Sequence, residues 1–118
     1  MKSDELKKRT MAFGLKVIQL VDTLPITKPA DAIGRQLVRC ATAVGANYRA
    51  TCRARSRADF ISKMGVVEEE ADESAYWLEL LMEAKIVDGG SAARLLKEAN
   101  ELTAIFAASE KTACRNRR

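Results

Sequence analysis

Residues 27–57, TKPADAIGRQLVRCATAVGANYRATCRARSR, decide the fold. Wound at about 100° per residue, Ile33, Leu37, Cys40, Ala41, Val44 and Tyr48 fall within one arc of roughly 80°. Arg35, Arg39, Arg49, Arg53 and Arg57 fall within a similar arc on the opposite side, with the small residues Thr42 and Ala46 between them. A strand would instead alternate with a period of two. The stretch therefore reads as one helix with an apolar stripe for a core and an arginine stripe facing away from it. Thr27 supplies an N-cap hydroxyl, and Pro29 sits in the first turn, where its missing N–H costs nothing.

Helical spacing extends in both directions. Upstream, Leu6, Phe13, Val17, Leu20, Val21 and Leu24 recur until Pro25 stops the run. Ser3 is the expected N-cap, and Gly14 reads equally as the mark of a close helix crossing or as a tolerated glycine. Downstream, Ser56 and Asp59 resemble a capping box. Phe60, Met64, Val67, Ala71, Ala75, Leu78 and Met82 then share one face, and Val66, Trp77 and Leu80 form a shorter apolar strip elsewhere. Asp88-Gly89-Gly90 reads as a stop, with Ser91 capping a last helix through Leu95, Ala99, Leu102, Phe106 and Ser109. No strand-like alternation occurs. The expectation is all-α: one domain over 1–118, an antiparallel up-down-up-down four-helix bundle with helices at about 4–24, 28–54, 57–87 and 92–112 and a basic tail over 113–118.

The 118 residues carry a net charge of +4, unevenly spread. Residues 28–58 hold seven Lys or Arg against Asp31, whereas 59–88 hold two against nine acids. Guanidinium groups along one face suit phosphates, because they are always charged and bind in a bidentate manner. The competing reading is that the basic and acidic faces pair with one another, within or between subunits. There is no histidine, which removes Ser–His and Cys–His catalysis and histidine-containing metal sites. Cys40, Cys52 and Cys114 lack metal-ligand spacing and read as free thiols in a reducing cytoplasm. No apolar run is long enough to cross a membrane, and the first residues lack the apolar centre of a signal peptide.

Glu69-Glu70 followed by Glu73 forms an EExxE pattern, with carboxylates that could hold Mg²⁺. In this it resembles the all-α nucleotide pyrophosphohydrolases, which pair EExxE with a later ExxD. The later candidate here, Glu98 to Glu101, ends in glutamate. A solvated or ion-paired face is the preferred reading, with no catalytic residue, metal or cofactor.

Three further pieces occur in order. Gln36-Leu37-Val38-Arg39 is similar to a Q-L-x-R run, and Ala43-Val44-Gly45-Ala46-Asn47-Tyr48 to an S-[IV]-x-A-N-[IY] signature. Arg57-Ala58-Asp59-Phe60-Ile61 is similar to [KR]-x-[ED]-F-[IL]. With these the chain resembles the 23S ribosomal RNA intervening-sequence proteins over about residues 5–112. It departs at 49–55, where many members have an E-G-x-[GS] turn. The resemblance implies an antiparallel bundle, often a homopentamer, without known catalysis. It also implies kinship with the accessory variability protein of diversity-generating retroelements, a basic pentamer that engages nucleic acid and a reverse transcriptase. The resulting expectation is a non-enzymatic, cytoplasmic homo-oligomer that binds RNA or DNA through Arg35, Arg39, Arg49, Arg53 and Arg57 and contacts its neighbours through Val66, Trp77 and Leu80. Its alternatives are a Mg²⁺-dependent pyrophosphohydrolase and a scaffold with paired charged faces.

Overall fold

The computed structural model describes residues 2–115. Its four helices are α1 (Ser3–Asp22), α2 (Lys28–Thr51), α3 (Arg57–Glu83) and α4 (Gly90–Arg115). They pack in ring order, α1 on α2, α2 on α3, α3 on α4, with α4 returning to α1, in a body 52 × 22 × 20 Å. The all-α four-helix bundle expected from the periodicity is the fold. Of the expected tail 113–118, residues 113–115 continue α4, and 116–118 lie outside the described residues.

The core follows the predicted stripes. Leu37, Cys40, Ala41, Val44 and Tyr48 of α2 are buried, facing Phe13 and Val17, Val67 and Leu78, and Leu102 and Phe106. Ile33 is half-buried at the edge. Leu81 and Ser74 are also fully buried, widening the inner face of α3, which packs on both α2 and α4. The Ser74 hydroxyl donates to the carbonyl of Glu70 at 2.8 Å and contacts the Cys40 sulfur at 3.3 Å, so the buried polar groups are satisfied. Gly14 faces α2, where a Cβ would sit in ordinary contact, 3.8 Å from the Thr42 Cα and the Ala41 carbonyl oxygen, so the packing there does not require a glycine.

The caps explain where the sequence erred by a few residues. Thr27 accepts from Ala30 N–H and Ser56 from Asp59 N–H, as expected. Asp59 reaches back to Arg55 N–H at 3.1 Å, completing a variant of the capping box. At α1, Ser3 is already helical and Lys2 is the N-cap, with no side-chain hydrogen bond. At α4, Gly90 is the first helical residue, and its N–H meets the Asp88 carboxylate at 3.3 Å.

Helix α3 ends at Glu83, four residues before the expected 87, through a Schellman motif. Lys85 N–H donates to the Met82 carbonyl and Ile86 N–H to the Leu81 carbonyl, both at 3.0 Å. Lys85 occupies the left-handed region at φ 57°. A residue with a Cβ there costs about 1 kcal/mol more than glycine. Lys85→Gly should therefore stabilise the bundle by about 0.5–1 kcal/mol, raising the thermal midpoint by about 2–4 °C. An unchanged or lower midpoint in calorimetry would contradict this account of the turn.

Candidate nucleic-acid interface

The arginine stripe does not act as one surface. Arg35 forms an exposed i,i+4 pair with Asp31 at 2.9 Å, an interaction worth little in water. Arg39 turns toward α3. It donates to the Glu73 carboxylate and lies 3.6 Å from Glu70, and Glu73 also accepts from the Trp77 indole N–H at 3.0 Å. The indole bond, with Arg39 beside it, holds the Glu73 carboxyl below its usual range, and the same pair raises the Arg39 guanidinium. Glu70 and Glu73 are thus the acids of α3 that pair with α2. Arg49 and Arg53 are exposed, with no ion pair among the described residues, and Arg57 lies in the first turn of α3.

The antiparallel order gathers charge at one end of the bundle. The start of α1, the end of α2, the start of α3 and the end of α4 meet there. Residues 2–10, 49–63 and 108–115, which form this end, carry eleven Lys or Arg against four Asp or Glu. The remaining described residues, 11–48 and 64–107, carry seven against twelve. The molecule is therefore a charge dipole along its 52 Å axis. Arg49, Arg53, Arg55, Lys7, Lys111 and Arg115 are all exposed at the basic end. Arg55 was absent from the helical stripe because it lies in the turn. Lys63 is partly spent on Asp59 at 2.8 Å, which holds that carboxyl below its usual range.

The EExxE pattern does not form a common carboxylate site. Glu70 and Glu73 face Arg39 on the α2 side, Glu69 is exposed, and Glu98 and Glu101 bind Arg9 on the α1 side at 2.7 and 2.9 Å. Among the described residues no group of three or more His, Cys, Asp or Glu is placed to hold a metal ion. The three cysteines are free, with Cys40 buried and its thiol pushed up by burial.

The expected interface strip is mixed. Val66 is 44% exposed, whereas Trp77 and Leu80 are half-buried and Trp77 packs against the core edge. The exposed aromatic is its neighbour Tyr76, edge-on to the indole at 5.0 Å.

One carboxyl near the basic end is perturbed. Glu110 of α4 shares its surroundings with Glu68 and lies beside Gly65, where a Cβ would come 3.3 Å from its oxygen. Glu68 and partial burial push its carboxyl up to about 7. A carboxyl raised in the folded state contributes stability below its unfolded value, and this is lost as pH rises through about 7. Glu110→Gln should flatten the fall in stability between about pH 4.5 and 7 and leave the variant the more stable above pH 7. Parallel curves for the two proteins in urea titrations across that range would refute the raised Glu110 carboxyl.

No helix among the described residues is long and apolar enough to cross a membrane. No curated protein matches the chain. A crystal structure of a protein of unknown function from the S23 ribosomal protein family of Bacteroides thetaiotaomicron is similar, with a TM-score of 0.85 and 29% identity over 94% of this chain and 99% of that one. Residues 2–108 match the 23S rRNA-intervening sequence proteins. With the four-helix architecture and the ordered pieces around Leu37, Asn47 and Phe60, that match places the chain in the 23S rRNA-intervening sequence protein family.

Proposed function

We propose that the protein is a non-enzymatic, homo-oligomeric nucleic-acid-binding bundle whose contact surface is its basic end, with Arg49 and Arg53 at the centre. The observation that carries this reading is the gathering of cationic segments from all four helices at one end, while Arg39 is committed to α3. Phosphates supply a regular array of charge for such a surface, and nothing here resembles a set of base-reading side chains. RNA or DNA should therefore bind with weak sequence preference. A pentamer and a reverse-transcriptase partner follow from the resemblance and belong to the same proposal. So does a cytoplasmic location.

Fluorescence anisotropy of labelled single- and double-stranded oligonucleotides tests the binding. Affinity should fall by about 0.7–0.9 log units per tenfold salt for each phosphate neutralised. Salt-independent binding, or none at low salt, would remove the proposal. Glu70 and Glu73 of the EExxE pattern are paired with Arg39, and Glu98 and Glu101 of the later pattern with Arg9 on another side of the bundle, which favours the non-catalytic reading over a hydrolase. Nucleoside triphosphates with Mg²⁺ or Mn²⁺ should show no turnover above background. Turnover abolished by Glu70→Gln and Glu73→Gln would reverse that assignment.

A further inference from the structure

Where α1 and α4 meet, a cleft of about 650 Å³ opens along the seam, within the range of about 300–1,000 Å³ usual for small-molecule sites. Arg9 fixes the register of the two helices, because it pairs with Glu98 and Glu101 at 2.7 and 2.9 Å. The helices run antiparallel. About two turns along α1 from Arg9, and the equal step back along α4 from Glu101, Lys16 therefore comes opposite Arg94. Roughly one turn further, Gln19 comes opposite Ser91. All four line the cleft, and the buried Phe13, Leu20 and Leu95 form its floor.

Like charges thus face one another across this seam. Lys16 and Arg94 are both exposed, and neither has an ion pair among the described residues. Glu98, the acid that lines the cleft, is already held by Arg9. Paired helices commonly set opposite charges across their seams. An anion lodged between Lys16 and Arg94 would turn repulsion into attraction, with the guanidinium as a bidentate fork and the ammonium as a point charge. Two cations match a phosphate monoester, which carries about −1.5 to −2 at neutral pH, better than a single carboxylate. A bare anion would leave the apolar floor in water. A flat ring attached to the phosphate would cover it, with the Gln19 amide and Ser91 hydroxyl beside the polar edge of such a ligand.

We infer that the α1–α4 cleft binds a small phosphate monoester carrying a flat ring, its phosphoryl group between Lys16 and Arg94 and its ring over Phe13, Leu20 and Leu95. The ligand joins α1 to α4 along their sparse seam. These residues belong neither to the basic end nor to the α3 strip expected at the subunit contact. The inference therefore goes beyond the proposed function and does not rest on it.

Isothermal titration calorimetry with adenosine monophosphate as probe tests it, beside adenosine and inorganic phosphate. Adenosine monophosphate should bind once per chain with a Kd below about 1 mM and raise the thermal midpoint. Adenosine and inorganic phosphate each supply half of the ligand and should bind at least about 10-fold more weakly. Arg94→Gln should weaken the monophosphate about 10-fold or more, the loss expected for a hydrogen bond to a charged group. Lys16→Glu gives a second readout without ligand. It sets a carboxylate opposite Arg94, so it should abolish binding and raise the midpoint of the free bundle by about 1–4 °C. No binding of the monophosphate, or binding that Arg94→Gln leaves unchanged, would overturn the inference. Inorganic phosphate or adenosine binding as tightly as the monophosphate would overturn the assignment of a ring-bearing phosphate. A lowered midpoint in Lys16→Glu would overturn the facing of Lys16 and Arg94. Displacement of the monophosphate by an oligonucleotide would move it to the basic end and overturn the cleft.

Discussion

Replacing Arg49 and Arg53 together by glutamate is expected to weaken nucleic-acid binding about 100-fold or more at 0.1 M salt. The change reverses two exposed charges at the end where cations outnumber acids, so the salt slope should flatten by about two contacts' worth, roughly 1.4–1.8. Neither residue is buried or ion-paired among the described residues, so helicity should not change. Arg39→Glu is the matched control. It removes the partner of Glu70 and Glu73 and adds a third carboxylate beside them, so it should lower thermal stability while leaving affinity nearly intact. Equal loss of affinity in both variants would mean that the whole α2 stripe, not the bundle end, meets the polyanion.

Phe106→Ala is expected to cost the most stability. The ring is fully buried and tilted against Tyr48 at 5.8 Å between centroids, joining α4 to α2. Truncating a buried phenylalanine costs about 3–5 kcal/mol, a large share of the 5–15 kcal/mol that holds a domain together. For a chain of this length the thermal midpoint should fall by about 12–20 °C. Burial also pushes the Tyr48 hydroxyl up. A loss below about 1 kcal/mol in denaturant titration would show that the site collapses around the gap.

The fold was legible because each helix carries its own period. Leu37, Cys40, Val44 and Tyr48 could be placed inside by spacing alone, and the Thr27 and Ser56 hydroxyls mark starts that the backbone uses. The end of α3 was not legible, because the left-handed position is filled by Lys85, which gives no signal of the kind a glycine gives. The site was legible only in part. A helical wheel shows that Arg39 faces away from the core, but not that α3 brings Glu70 and Glu73 to it; that depends on packing between helices. The gathering of Lys7, Arg53, Arg55 and Lys111 appears only once the helices are set antiparallel, because these residues are far apart in sequence.

The attachment of α1 has a consequence for how the molecule opens. Of the neighbouring pairs, α1 and α4 lie together most sparsely. Along that edge Arg9 grips Glu98 and Glu101, and α1 otherwise rests on α2 where Gly14 approaches Thr42 and Gly45 approaches Thr10. Helices α2, α3 and α4 share the broader seams. Local unfolding follows the weakest cooperative unit, so α1 is the segment whose amides reach water first. Its release leaves a three-helix platform with one flank open. Salt loosens the Arg9 grip, so the free energy of that partial opening falls under conditions that leave the apolar α3–α4 seam intact.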